Sequence, residues 1–165
     1  MLPQSARKWR TAMRYRRPML LALAAASFTV SGWAGETVSP SGNILRNPAG
    51  GYTHRTVEIP PGSRILYISG QTATDPEGRT PADAQIQAEI VYQKIARSLA
   101  DAGMTMGDLV KTTVYLIDPA DVGALIAAGR KYNPSGKHAG TLVYVKALAT
   151  PDVRIEIEAV AAKLP

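Results

Sequence analysis

The sequence contains no cysteine and few aromatic residues. Its 165 residues include seven Tyr, two Trp, one Phe and two His. Without cysteine the chain forms neither disulfides nor thiolate metal sites, and two histidines without supporting ligands do not make a zinc site. A hydrophobic fraction of 45% still allows a core of Val, Ile, Leu and Ala. We therefore expect one globular domain with no metal and no disulfide framework.

Most of the chain also lacks an excess of either charge. The formal net charge is +6, but six of the 19 basic residues precede the first acidic residue, Glu36. From position 35 onward, 13 basic residues face 13 acidic ones. A neutral domain with few aromatics lacks the electrostatic footprint of phosphate binding, so we expect no nucleic-acid partner. The six early basic residues are Arg7, Lys8, Arg10, Arg14, Arg16 and Arg17.

No apolar run reaches the roughly 20 residues that a bilayer-spanning helix needs. The longest run, Met19–Val30, follows the basic cluster and precedes the small residues Gly32 and Ala34. This layout is typical of a secretory signal peptide over residues 1–34, cut ahead of Gly35. We expect a periplasmic or secreted protein without a permanent membrane span. The pair Arg16-Arg17 leaves the twin-arginine route open beside the general one.

Residues 35–51 are rich in Ser, Pro, Gly and Asn and show no periodicity, which predicts a linker or irregular arm. The domain is expected over residues 52–165. Two β-prone runs, Thr56–Ile59 and Ile65–Ser69, flank a Pro60-Pro61-Gly62-Ser63 turn and are expected to pair as a hairpin. Asp75-Pro76-Glu77-Gly78 then has the composition of a type I turn.

Helical periodicity follows from Asp83, a candidate N-cap, to Ala102, and Gly103 supplies the stop signal. The remaining elements are expected in this order: a strand over Asp108–Ile117, a helix from Asp118-Pro119 to Tyr132, and strands over Gly140–Val145 and Arg154–Ala161. Long helices between strands predict an α+β fold, a mixed sheet with both helices on one face and with the flanking strands paired through short turns.

The last strand alternates strictly between apolar and acidic residues. Ile155 and Ile157 lie on one side and Glu156 and Glu158 on the other. Two carboxylates on one face do not belong in a dry core. They predict a face that meets solvent, another subunit or a substrate.

Four motifs occur in the order and spacing of one known family: Ile68-Ser69-Gly70-Gln71, Pro81-Ala82-Asp83, Gly107 to Leu116 with Asp118, and Val153 to Ala159. Over Tyr52 to Ala162 the chain resembles the RidA (YjgF) family of reactive-intermediate deaminases. The resemblance implies a chorismate-mutase-like fold and a homotrimer with a central barrel, whose small-molecule sites lie in clefts between subunits. It also implies hydrolysis of small enamines and imines to ketoacids and ammonia, without metal or organic cofactor.

One position departs from the family pattern. The family's deaminases hold the substrate carboxylate with an arginine in a Pro-Ala-Arg-Ser or Pro-Ala-Arg-Thr segment, which here reads His138-Ala139-Gly140-Thr141. A charge-assisted contact of this kind contributes roughly 1.5 to 3 kcal/mol, or ten- to a hundredfold in binding. We expect weak activity on small carboxylated imines unless another cation takes its place. The candidates are Lys137, His138, Arg55 and Arg64, each of which equally suits a solvated surface.

The resemblance places the glutamate that orients the attacking water at Glu156. An interface salt bridge with Lys111 or Arg154 is the alternative role for that residue. Glu158 matches a family position that is more often structural. The resemblance aligns Thr53 with the family's site tyrosine, and Tyr52 lies one residue away from that place. Ser69-Gly70-Gln71 is expected to follow a tight backbone course at the cleft.

Two function classes remain open. The first is a RidA-like hydrolase in which Glu156 activates water, while Gly140, Thr141, Tyr52, Thr53, Lys137 and His138 line an altered substrate site. The second is a non-catalytic ligand-binding or chaperone-like trimer that has lost its anion contact. Because Glu156 is retained, the first is the working hypothesis.

Overall fold

The computed structural model of the chain describes residues 36–46 and 55–165. They contain seven strands, two α-helices and two 3-10 turns. Three short strands form a small antiparallel sheet in the order β1-β2-β3. These are β1 (Glu36–Val38), β2 (Ile44–Arg46) and β3 (Thr56–Glu58). Of the segment expected as a linker or irregular arm, the described part forms two paired strands, Glu36–Val38 and Ile44–Arg46, joined by a turn.

The main sheet has four strands in the order β4-β7-β5-β6. β7 runs antiparallel to both of its neighbours, β4 and β5, whereas β6 runs parallel to β5. Its strands are β4 (Arg64–Gln71), β5 (Leu109–Leu116), β6 (Ala139–Tyr144) and β7 (Ile155–Lys163). The predicted mixed sheet of an α+β fold is therefore confirmed.

Two predicted strand pairings are wrong. β3 pairs with β2, so the turn at Pro60–Ser63 carries the chain from the small sheet into the main one instead of closing a hairpin. β6 and β7 do not pair with each other, since both flank β5. The segment of ten residues that separates them is long enough to let β7 take the central place and leave β6 at the edge.

The first helix, α1 (Ala84–Asp101), begins and ends where the sequence predicts. Asp83 caps it by accepting a hydrogen bond from the Ile86 amide at 2.9 Å. At the other end Gly103 adopts a φ of +70°, a left-handed conformation that glycine reaches without strain. Earlier in the chain, the Gly78 amide donates to Asp75 O at 3.0 Å, which closes the predicted turn.

The second helix, α2 (Val122–Tyr132), follows a single 3-10 turn over Pro119–Asp121. Asp118 caps that turn by accepting from the Ala120 amide at 2.8 Å. The two helices pack side by side, with the rings of Tyr92 and Tyr132 stacked at 6.1 Å. No helix within the described residues is long and apolar enough to cross a bilayer.

Both helices cover the same face of the main sheet. The core between them is aliphatic and contains Val91, Ile95 and Leu99 of α1, Leu125 of α2, and Ile155 and Ile157 of β7. Gln87 has a fully buried amide side chain, and it satisfies its hydrogen bonds with Pro81 O, Asp152 O and the Arg154 amide. Because the core occupies one face, alternate residues of each strand are left on the other, which we call the open face.

Candidate functional site

Glu156 lies on the open face because its neighbours on β7 belong to the core. Ile155 and Ile157 are 0% and 1% exposed, while Glu156 is half-buried and Glu158 exposed. The predicted alternation of β7 is therefore confirmed. It directs both carboxylates away from the helices.

The Glu156 carboxylate approaches the backbone of β4 at Gly70. A β-carbon at position 70 would fall 1.8 Å from Glu156 Oε1 and 2.8 Å from its Cδ. The register between β4 and β7 shifts between Ile68 and Gln71, so Gly70 lies in a strand irregularity. Only a residue without a side chain leaves the carboxylate this space. The tight backbone course expected at Ser69-Gly70-Gln71 is thus observed, and its purpose is to admit Glu156.

Neither predicted salt-bridge partner contacts Glu156 within one chain. Arg154 forms two 2.9 Å hydrogen bonds with the Asp121 carboxylate, and Lys111 donates to Thr141 Oγ1 at 2.7 Å. Within residues 36–46 and 55–165, no hydrogen bond or ion pair engages the Glu156 carboxylate. Its oxygens are therefore available to a water molecule or a ligand.

Tyr115 faces Glu156 across the strand pair and also contacts the second carboxylate. Tyr115 is the register partner of Glu156, and its hydroxyl donates to Glu158 Oε1 at 3.3 Å. Desolvation and the charge of Glu158 raise the pKa of Tyr115 above its usual value. The hydroxyl therefore stays protonated at neutral pH and remains a hydrogen-bond donor.

Gly140 and Glu156 do not meet within one chain. Gly140 pairs with Thr112, whose side chain is buried on the helix-covered face, and β5 separates β6 from β7. Among the described residues, a β-carbon at position 140 would come within 4 Å only of Thr112 Oγ1, at 3.7 Å, and the backbone of Gly140 is not in the left-handed region. A site that uses both positions therefore requires two subunits, as the family resemblance implies.

The segment ahead of β6 carries the other candidate cations. Lys137 is exposed, while His138 lies close to Asn133, with 3.3 Å between His138 Nδ1 and Asn133 Nδ2. Burial, reinforced by the charges of Arg55 and Lys111, lowers the pKa of His138 to about 4. His138 is therefore neutral at pH 7 and offers a hydrogen bond instead of a charge.

Tyr52 and Thr53 lie outside the described residues. Of the remaining predicted positions, Glu156 and Glu158 of β7 and Thr141 of β6 share the open face, with β5 lying between the two strands. Sequence reasoning missed the approach of Glu156 to Gly70, the cross-strand Tyr115 and the Lys111–Thr141 bond. The signal for the first was present, since a glycine inside a strand often marks a close approach of another group.

A cavity of about 240 Å³ opens between the small sheet and the segment from the end of α2 to β6. Its walls are mainly aliphatic, and its rim includes an ammonium group and several hydroxyls. The residues around it include Val38, Leu45, Val57, Leu109, Ser135 and Lys137. Glu156 and Gly140 do not line this cavity, so it is separate from the open-face site.

The chain is thus a small α+β protein in which the strand glutamate Glu156 packs over the strand glycine Gly70. The family model described as Endoribonuclease L-PSP matches residues 43–163 of the chain. The chain belongs to this family, whose members include the RidA-type deaminases that the four motifs resemble. The term endoribonuclease is the name of the family model and does not describe an activity of this chain.

Relatives and solved structures agree with that placement. The 2-iminobutanoate/2-iminopropanoate deaminase of Escherichia coli (strain K12) is 36% identical over 103 residues, 60% of this chain and 80% of that protein. The RutC family protein of Pyrococcus abyssi is 35% identical over 101 residues, 60% and 79% of the two chains.

Two crystal structures show the same fold. The Rid family protein YyfB from Yersinia pestis superposes with a TM-score of 0.57 at 33% identity, covering 64% of this chain and 83% of its own. TdcF from Escherichia coli, crystallised with bound serine, superposes with a TM-score of 0.55 at 29% identity, covering 64% and 84%.

Proposed function

We propose that the protein hydrolyses small enamines and imines, with Glu156 as the catalytic residue. The observation that carries the proposal is the Glu156 carboxylate, half-buried over Gly70 and engaged by no other described side chain. A carboxylate in that setting accepts a proton from a water molecule without first breaking an ion pair. The similarity to a 2-iminobutanoate/2-iminopropanoate deaminase supports this substrate class.

Water is the only co-reactant that this hydrolysis consumes. An enamine tautomerises to the imine, and water adds to the C=N carbon while Glu156 accepts its proton. Glu156 returns this proton to the nitrogen of the resulting carbinolamine, and the carbinolamine hydroxyl gives up its own proton as ammonia leaves, which yields the carbonyl product. The sum is imine plus water to carbonyl plus ammonia. No redox partner is required.

The test is release of pyruvate and ammonia from enzymatically generated 2-aminoacrylate. We expect Glu156→Gln to lower kcat by about a hundredfold or more, the usual contribution of a positioned general base. Glu158→Gln is the matched control, because it removes a carboxylate from the same face and strand. It should stay within about threefold of wild type.

A wild-type protein that releases no pyruvate or ammonia above the uncatalysed rate would reject hydrolysis and favour the second function class, a ligand-binding or chaperone-like protein. An active wild type matched by Glu156→Gln would reject the role of Glu156. Equal losses of kcat in Glu156→Gln and Glu158→Gln would instead show that activity depends on the overall negative charge of the open face and not on Glu156 in particular.

We further propose that the chain assembles as a homotrimer and that its sites form between subunits. Several large apolar residues outside the helix-covered core are exposed, and a monomer rarely leaves such a surface uncovered. Tyr67 is 77% exposed and Ile65 50%. The set also includes Leu142, Val143 and Tyr144 of the edge strand β6.

We also propose export, with cleavage ahead of Gly35. This rests on the basic cluster and the apolar run Met19–Val30, which lie outside the described residues. The compartment follows from that segment alone.

A further inference from the structure

The Glu156 carboxylate lies over Gly70 because β4 carries one extra residue at that place. Between Ile68 and Gln71 the register with β7 shifts, so that two residues of β4 face a single residue of β7. An extra residue of this kind is a β-bulge. Its place along the strand decides which residue of β4 lies beneath the carboxylate. A bulge one residue earlier or later would bring Ser69 or Gln71, with its side chain, to that place.

A lysine of α1 holds the chain where it leaves this bulge. The Lys94 ammonium donates to Thr72 O at 2.8 Å and to Thr74 O at 2.6 Å. The residue between them, Ala73, is buried and belongs to the core. One cation and one buried methyl group thus fix the three residues that directly follow β4. Hydrogen bonds from a charged donor are stronger than those between neutral groups, so this attachment is firm.

Lys94 is itself held by a rigid element. It lies in the middle of α1, between the fully buried residues Val91 and Ile95, and its side chain is half-buried. Its carbonyl oxygen also accepts a hydrogen bond from Ser98 Oγ at 3.1 Å. Because α1 packs on the main sheet, the core sets the distance from the backbone of Lys94 to the bulge.

A second hydrogen bond closes the bulge from within the strand. Gln71 Nε2 donates to Ser69 O at 3.0 Å and so spans Gly70. This bond shapes the bulge but ties it to no other element. The two bonds of Lys94 are different, because they tie the end of β4 to α1.

We propose that Lys94 is a positioning residue for hydrolysis, which holds residues 72–74 against α1 and thereby fixes the bulge at Gly70 beneath the Glu156 carboxylate. The inference rests on the catalytic role proposed above for Glu156. Lys94 donates to backbone carbonyls and acts on Glu156 only through the backbone of β4. Without the ammonium, the segment loses its link to α1 and the bulge is free to shift.

The experiment is a kinetic comparison of full-length variants on enzymatically generated 2-aminoacrylate, with thermal melting recorded for each. We expect Lys94→Met to lower kcat about tenfold and to keep KM within about twofold, because misplacement by about 1 Å costs up to about a hundredfold in rate. Lys94→Arg should stay within about threefold of wild type, since a guanidinium also donates to two carbonyls. Lys131→Met is the matched control, because Lys131 donates to Glu89 Oε2 at 2.6 Å in a bond between the two helices. It should leave kcat unchanged.

A double-mutant cycle separates positioning from a general loss of structure. In the Glu156→Gln background, Lys94→Met should change the residual kcat by less than about twofold, because the group that Lys94 positions no longer acts as the base. Equal losses in both backgrounds would show that Lys94 supports the fold in general and would overturn the proposal. An unchanged kcat in Lys94→Met would overturn it as well.

A milder variant covers the case in which Lys94→Met does not fold. Lys94→Gln has a neutral amide that satisfies one of the two carbonyls, and it should lower kcat about threefold. A kcat equal to that of wild type in Lys94→Gln would then overturn the proposal.

A measurement without turnover distinguishes this proposal from the hydrolase proposal. The carboxyl carbon NMR signal of Glu156, assigned by its absence in Glu156→Gln, reports the surroundings of that group. We expect it to move in Lys94→Met and to match wild type in Lys131→Met. If wild type releases no ammonia but the signal responds in this way, hydrolysis fails and the positioning of Glu156 stands. If wild type turns over and neither kcat nor the signal responds to Lys94→Met, the positioning role fails and hydrolysis stands.

Discussion

The Glu156 carboxylate occupies the space that a side chain at Gly70 would fill, with Oε1 only 1.8 Å from where a β-carbon would stand. The two residues come from β7 and β4, which are 86 positions apart in the sequence and adjacent in the sheet. Because the glycine has no side chain, the Glu156 carboxylate lies over the backbone of β4, and no hydrogen bond or ion pair from the described residues engages it. The glycine in the Ser-Gly-Gln motif and the glutamate in the last strand therefore form one structural unit, in which the absent side chain makes room for the carboxylate.

Gly70→Ala should reduce hydrolysis of 2-aminoacrylate nearly as much as Glu156→Gln. The added methyl group displaces the carboxylate, while the end of a flexible side chain yields at little energetic expense. We expect a fall in kcat of about a hundredfold with a change in unfolding free energy below about 1 kcal/mol. Stopped enzyme assays and urea unfolding measure the two quantities.

Gly123→Ala is the control for that variant. Apart from its chain neighbours and the backbone of its own helix, no described heavy atom lies within 4 Å of a β-carbon at this helical glycine. The substitution should leave kcat unchanged and raise stability by about 0.5 to 1 kcal/mol, because alanine loses less conformational entropy in a helix. A Gly70→Ala protein as active as Gly123→Ala would show that the position of Glu156 does not matter.

Gly140→Arg should improve hydrolysis of 2-aminoacrylate, because it restores a cation where the family's deaminases carry one. The backbone at Gly140 accepts a side chain, since among the described residues a β-carbon would come within 4 Å only of Thr112 Oγ1, at 3.7 Å. We expect a gain of about tenfold in kcat/KM, through KM, from one added charge-assisted contact to the substrate carboxylate. Gly140→Gln adds bulk without charge and serves as the control. Equal gains from arginine and glutamine would point to packing.

His138 should make the fold sensitive to mild acid. Burial holds its pKa at about 4, below the ordinary value of 6.5. Between these two pH values the unfolded chain binds a proton at His138 that the folded chain does not. The contribution of neutral His138 to the free energy of unfolding is therefore complete above pH 6.5 and is lost as the pH falls through 4. The loss is about 3 kcal/mol at most. Urea unfolding at pH 7 and 4.5 should show a smaller decrease in unfolding free energy for His138→Gln than for wild type. An equal decrease in both proteins would show that His138 is not the cause of the acid sensitivity.

Tyr67→Glu should disrupt the assembly. Tyr67 is 77% exposed in one chain, and a charge there opposes burial against another subunit. Light scattering should give three times the monomer mass for wild type and a lower mass for the variant. Ile86→Glu is the control, because Ile86 is 51% exposed but lies on α1, away from the sheet. Its mass should equal that of wild type, and a monomeric wild type would remove the intersubunit site.

Protein recovered from its native host should begin near Gly35. The basic cluster and the short apolar run that follows are the elements that an export machinery reads. N-terminal sequencing of the mature protein gives the cleavage position. A product that retains residues 1–34 in the cytoplasm would contradict export.

Local sequence signals determined much of this fold. The limits of α1 follow from Asp83 and Gly103, whose capping chemistry acts within one helical turn. The alternation of β7 decided which of its residues, Ile155 or Glu156, enters the core, because side chains in a strand point to opposite faces. The retained Glu156 and the absent arginine at position 140 could likewise be read from the motifs.

Strand partners and long-range contacts were decided only by the tertiary structure. Periodicity shows which face of a strand is buried but not which strand lies beside it, so the pairings of β3, β6 and β7 were not available from local patterns. The approach of Glu156 to Gly70 and the reach of Arg55 to His138 join residues more than 80 positions apart. Such contacts depend on how the strands of the two sheets are ordered, and that order is set by the packing of the whole core.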